Sequence, residues 1–248
     1  MRRVMLLIAL VMIPTVALAG PVRDETVTIQ SGEEQFRAYL VQPDSAGPHP
    51  ALILIHEWWG LNEQIKGEAR KFAEQGFVAL APDLYHGSVT GDPSMAHELM
   101  RGLPQDRGVR DLKAAFAFLA ARADVTKEKI GSVGWCMGGG FSLQLAINEP
   151  NLAACVVNYG AMPTSAEDIQ KIQAPVLGNF GAEDRGIKPQ VVEAFDKAMK
   201  AVGKSADLKV YPGAGHGFQN ATNKLGYHQN AAEDAWRRTL AFLNKALK

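Results

Sequence analysis

The sequence predicts an α/β fold: a mostly parallel central sheet with helices on both faces. Three observations predict it. Residues 51–55, 77–81, 152–157 and 175–177 are continuous apolar runs, as strands buried on both faces must be. Segments with apolar residues at helical spacing alternate with those runs. A glycine-rich turn, Gly134-Trp135-Cys136-Met137-Gly138-Gly139, links an apolar lead-in at Ile130 and Val133 to a helical pattern over 141–148.

In chain order, residues 1–19 stand outside this pattern. Arg2 and Arg3 precede an apolar run at 4–16, and Ala17-Leu18-Ala19 offers a small-residue cleavage site before Gly20. That layout is a secretory signal peptide. The run is too short for a comfortable membrane span, and no cysteine follows the cleavage site to carry a lipid. The expected product is a single domain, 20–248, secreted or periplasmic, without a membrane anchor and read as a monomer. Val27 and Ile29, then Phe36, Ala38 and Leu40, alternate with polar residues around Ser31-Gly32, which predicts an antiparallel hairpin at a sheet edge. Helical faces follow at Ile65, Ala69 and Phe72; at Val109, Leu112, Phe116 and Leu119; at Val192, Phe195, Met199 and Val202; and at Trp236, Leu240, Leu243 and Leu247. Asn230 with Glu233 is expected to cap the last helix. Residues 84–103 form a long connection with a short helix expected near Ala96, either a lid or an idle excursion.

Composition narrows the function. Without Arg2 and Arg3, 24 basic residues face 26 acidic ones, a net charge of −2, which argues against a nucleic-acid binder. Of the two cysteines, Cys155 lies inside an apolar run and reads as packing, so a disulfide with Cys136 is not expected. Gly203-Lys204-Ser205 has Ala198 where a phosphate loop needs glycine, and no cofactor is expected.

The glycine-rich turn carries the chemistry. It has the layout of a nucleophile elbow with cysteine in the serine position. A thiol there stands at a helix N-terminus, where the dipole and free N–H groups favour a thiolate. Such a site needs an acid and then a histidine downstream. Asp184 follows the run at 175–177, and His216, in Gly213-Ala214-Gly215-His216-Gly217-Phe218, follows a short strand expected at 208–211. Both fall where open parallel sheets place catalytic groups. Cys136 is thus the candidate nucleophile, His216 its base, and Asp184 the carboxylate that fixes the imidazole tautomer. An oxyanion hole would use the Met137 N–H and one from the loop after 51–55. That loop reads His56-Glu57-Trp58-Trp59-Gly60-Leu61-Asn62. His56 reads as a packing residue. Gly60 stands where a zinc helix would need its second histidine, so no metal is expected.

These stretches, together with Pro82-Asp83-Leu84-Tyr85, resemble the dienelactone hydrolase family over essentially all of 20–248. The resemblance implies an α/β-hydrolase fold with about eight strands. It implies carboxymethylenebutenolidase-like hydrolysis of activated esters or lactones, a small-molecule substrate, through a Cys136–His216–Asp184 triad and a thioester. By the same match Glu57 contacts the resting thiol and helps activate it, Trp58 N–H completes the oxyanion hole with Met137 N–H, and Tyr85 and Trp59 line the pocket. Family members acting on chlorocatechol-derived lactones clamp a substrate carboxylate with two arginines. Those positions here hold Gly87 and Asn220, with Arg185 and Lys188 as the nearest candidate cations, so dienelactone itself is not the expected substrate. A binding or redox-sensing module using Cys136 as a reversible thiol is the alternative.

Overall fold

The computed structural model describes residues 20–248, so the signal-peptide reading lies outside the described residues. The alternating N-terminal segment forms the expected hairpin, β1 (Val22–Ser31) against β2 (Glu34–Pro43). The other strands are β3 (His49–Ile55), β4 (Val78–Pro82), β5 (Val125–Trp135), β6 (Ala154–Asn158), β7 (Val176–Gly181) and β8 (Ala206–Tyr211). They form one sheet in the order β1-β2-β4-β3-β5-β6-β7-β8. β2 pairs antiparallel with both neighbours, and every other pairing is parallel.

The helices are α1 (Glu63–Glu74), α2 (Pro93–Arg101), α3 (Gln105–Ala120), α4 (Met137–Asn148), α5 (Ala166–Lys171), α6 (Pro189–Ala201) and α7 (Gln229–Leu247). Strand β3 shows why its run is continuously apolar. Ala51, Ile53 and Ile55 join one buried cluster, Leu52 and Leu54 the other. Successive side chains point to opposite faces, and a strand covered twice has no solvent face. On one side Ile65, Ala69 and Phe72 of α1 and Leu243 of α7 cover the sheet. On the other, Leu112 and Phe116 of α3, Leu143 of α4, Ile169 of α5 and Phe195 of α6 do so.

Two local expectations need correction. Helix α4 begins at Met137, not Phe141, because the elbow passes straight into the helix and carries three glycines into its first turn. Asn230 and Glu233 do not form a capping box: His228 is the N-cap, its Nδ1 accepting from Ala231 N at 3.3 Å. Asn230 therefore lies inside the first turn, and Glu233 accepts from Gln229 instead. The 84–103 connection does hold the short helix expected near Ala96: α2 is started by Asp92, whose side chain accepts from Met95 N ahead of a favourable Pro93.

Candidate active site

Parallel strands end at a common edge, so the loops after β3, β5, β6, β7 and β8 converge there. The turn after β5 is tightest. Cys136 has φ 56° and ψ −119°. A Cβ on Gly134 would stand 1.9 Å from Gly138 O, and one on Gly138 would stand 2.2 Å from Ile55 O. Bare backbone is therefore required at both places. Cys136 N donates to Asn158 O at 3.0 Å, and Asn158 Nδ2 donates to Gly134 O at 3.2 Å, pinning the elbow to the end of β6.

Asp184 and His216, on the loops after β7 and β8, meet with Asp184 Oδ2 2.7 Å from His216 Nδ1. The other carboxylate oxygen, Oδ1, accepts from Gly186 N at 2.8 Å and Ile187 N at 2.9 Å. Burial works against charge on Asp184, yet the imidazole hydrogen bond and these N–H groups hold its carboxyl below the usual carboxylate range. Burial likewise opposes charge on His216. The Asp184 hydrogen bond and the adjoining Cys136 side chain outweigh it and push the imidazole up to about 10. The ring thus lies between a carboxylate and a sulfur.

Glu57 is buried, at 5% exposure. Its Oε1 accepts from Tyr159 Oη at 3.1 Å and its Oε2 from Asn220 Nδ2 at 2.7 Å. Burial raises its carboxyl; the two donors and His216 pull the other way. Each oxygen keeps a further lone pair, and Glu57 shares its cavity with Cys136. His56 behaves as the packing residue expected. It is fully buried, Leu84 N donates to its Nε2 at 3.3 Å, and its Nδ1 lies 2.6 Å from Glu57 O. A backbone N–H can only donate, so Nδ1 carries the proton, and the ring ties the loop after β4 to the one bearing Glu57 and Trp58.

A cavity of about 990 Å³ opens over Cys136 and His216, with Glu57, Trp58, Trp59 and Asn220 in its wall. The Trp58 and Trp59 rings pack edge to face at 4.9 Å. Thr90, Gly91 and Met100 from the 84–103 connection line the cavity too, and Thr90 N donates to Trp59 O at 3.1 Å. That segment is a wall of the site rather than an idle excursion. Trp58 N and Met137 N donate to no other described residue. Tyr85 is 7% exposed and edge-on to His56, with its hydroxyl 3.3 Å from Met137 Sδ at the elbow. Gly87 N donates to Asp83 Oδ2 at a positive φ of 113°. Arg185 borders a separate groove beyond Asp184 and His216. Cys155 is a free, fully buried thiol that burial pushes up to about 11.

Tyr159 went unnoticed in the sequence. It follows β6 at φ 39°, fully buried, with its ring 5.2 Å from that of His216. The available signal was a polar Asn158-Tyr159 pair ending an apolar strand at the catalytic edge.

The dienelactone hydrolase family model matches residues 36–247, which spans every loop of this site. The chain belongs to the dienelactone hydrolase family. As a dienelactone hydrolase family hydrolase it resembles a candidate carboxymethylenebutenolidase of Saccharolobus solfataricus, at 32% identity over 91% of this chain and 100% of the relative. Another candidate carboxymethylenebutenolidase, from Methylorubrum extorquens, is 33% identical over 89% of this chain and 79% of the relative. Among solved structures, a candidate dienelactone hydrolase from Klebsiella pneumoniae superposes with a TM-score of 0.84 at 30% identity, covering 91% of this chain and 100% of that one.

Proposed function

We propose that this dienelactone hydrolase family member cleaves activated, uncharged carboxylic esters or lactones through a thioester on Cys136. The observation that carries this reading is the 2.7 Å Asp184–His216 pair, with the imidazole next to Cys136 under an open cavity. Sγ attacks the carbonyl carbon, and the negative oxygen gathers at the free Trp58 and Met137 N–H groups. The C–O bond breaks as His216 passes its proton to the leaving oxygen, leaving the acyl group on sulfur. His216 then takes a proton from water, the hydroxide attacks the thioester, and the thiolate departs as the acid is released.

The cavity wall argues for uncharged substrates. Besides His216, the cation in that wall is Lys224, on the exposed rim. Glu57 and Asn220 offer no positive charge to a carboxylate. Aryl acetates are expected to show kcat/KM at least about tenfold above matched esters bearing a carboxylate, worth about 1.4 kcal/mol. Preference for the anionic ester would overturn this assignment. Rapid labelling of Cys136 by iodoacetamide with no ester turned over would favour the redox-sensing alternative.

Export is proposed from residues 1–19, with the chain working outside the cytoplasm. Mass spectrometry of the exported protein should find Gly20 at its N-terminus; an intact Met1 in the periplasmic pool would contradict cleavage.

A further inference from the structure

Gln219 follows His216 on the same loop and joins that loop to the elbow. Trp135 Nε1 donates to Gln219 Oε1 at 3.1 Å, Gln219 Nε2 donates to Asn158 Oδ1 at 2.9 Å, and Asn158 Nδ2 donates to Gly134 O at 3.2 Å. The Gly134–Trp135 peptide bond closes these bonds into a ring. The two amides can be oriented from opposite ends of it, and the ends agree. A carbonyl only accepts, so Asn158 turns its NH₂ to Gly134 and its oxygen to Gln219. An indole N–H only donates, so Gln219 turns its oxygen to Trp135 and its NH₂ to Asn158. Asn179 Nδ2, whose own Oδ1 accepts from Arg238 Nη1 at 2.6 Å, donates to Asn158 Oδ1 as well, at 2.9 Å. Flipping either amide of the ring would set like against like at more than one contact. Toward α1 and α7 the ring borders a cavity of about 520 Å³ with Phe72, Gln219 and Trp236 in its wall. On that side hydrogen bonds, not close packing, hold Gln219.

We propose that Gln219 is a positioning residue: through this ring it fixes the loop carrying His216 against the strand end carrying Cys136, and so sets the distance from imidazole to sulfur. This role rests on Cys136 and His216 being nucleophile and base, and gives the pair a partner that touches neither substrate nor the reacting atoms. The Asp184 hydrogen bond does not set that distance by itself. It ties the imidazole to the loop after β7, whereas the elbow follows β5, and β6 stands between them in the sheet. Phe218 is fully buried, its ring 5.6 Å from that of Tyr159 and 5.2 Å from that of Tyr211, and it holds the same loop down by packing. Apolar packing is non-directional, whereas a closed set of oriented hydrogen bonds fixes where the loop stops. Gln219 supplies that directional tie to the residues on either side of the Gly134–Trp135 peptide bond, immediately before the sulfur.

The test is Gln219→Met, which keeps the length of the side chain and removes both hydrogen bonds. With an aryl acetate, kcat should fall by at least about tenfold while KM stays near wild type, because a misplaced base costs rate rather than binding. Iodoacetamide in the free protein gives a second readout. At about pH 7, where Cys136 needs its imidazole to be a thiolate, alkylation should slow by about tenfold; at about pH 10, where an ordinary thiol ionises unaided, it should match wild type. The titratable groups around His216, namely Asp184, Glu57, Tyr159 and Cys136, are the same in both proteins. Trp135→Phe removes the indole donor alone and should lower kcat by less. Adding Gln219→Met to Trp135→Phe should then cost less than Gln219→Met costs in wild type, since the two residues share one bond. Unchanged kcat in Gln219→Met, with or without a lowered melting temperature, overturns the positioning role, as does an equal loss of alkylation at both pH values. Wild-type protein that is alkylated at pH 7 but turns over no ester overturns the ester reading instead, and the alkylation comparison then decides on Gln219 by itself.

Discussion

Cys136→Ala should lower kcat for an aryl ester by about 10⁴-fold or more while leaving the melting temperature close to wild type. Removal of a nucleophile that acts as a unit with its base costs that much, because positioning and oxyanion stabilisation alone recover only a small part of the rate. The side chain contributes little to packing, since Cys136 is partly exposed at the cavity floor. Cys155→Ala is the matched control. Cys155 is fully buried beside Ser142 at 3.4 Å, and its substitution should affect stability but not turnover. Under native conditions iodoacetamide should therefore label one thiol per chain, and peptide mapping should place it at Cys136. Full activity in Cys136→Ala would remove the basis for a thioester.

Asp184→Asn should cost about 10⁴-fold in kcat with the fold intact. The reason lies in how the carboxylate is held. Gly186 N and Ile187 N occupy Oδ1, so the amide oxygen of an asparagine would stay there and its NH₂ would turn to His216 Nδ1. That nitrogen would then have to accept, the proton would move to Nε2, and the ring would lose its basic face toward the sulfur. The substitution also carries a pH signature. His216 is raised, to about 10 from 6.5, so its contribution to stability is fully present below 6.5 and is lost as pH rises through about 10. Asp184 is lowered from 3.8, so its contribution is present above 3.8 and is lost as pH falls through its depressed value. The stability advantage of wild type over Asp184→Asn should accordingly be widest between about pH 4 and 6.5 and should fade toward pH 10. Urea unfolding at pH 5 and pH 9.5 checks this, and an equal difference at both would contradict the pairing.

The sheet was legible because burial on two faces leaves a direct compositional trace. The runs at 51–55 and 152–157 could be read as strands without knowing their neighbours, and β3 and β6 are where they belong. The hairpin was legible from its period of two. Helix ends were less so. Capping depends on which residue first leaves extended backbone, and His228 took that place through a ring nitrogen that composition does not flag. Likewise the start of α4 was hidden by glycines that read as a loop but lie in the helix because other backbone comes within contact of them.

At the site, the residues that stand at strand ends were accessible to sequence reasoning: Cys136, Asp184, His216 and Glu57 each sit beside a recognisable glycine-bearing or aromatic motif. Their pairings were not. That Glu57 accepts from Tyr159 and Asn220, that Tyr85 reaches Met137 at the elbow, and that Thr90, Gly91 and Met100 complete the cavity are all consequences of where loops from five different strands come to rest.

The sequence by itself determined the layered parallel fold, the family, and the set of chemically capable side chains. Those follow from local periodicity and from motifs a few residues long. Only the tertiary structure decided which of those side chains are partners. Hydrogen bonding is effective over about 3 Å, and residues 57, 159 and 220 come within that range only once the sheet has brought their loops to one edge.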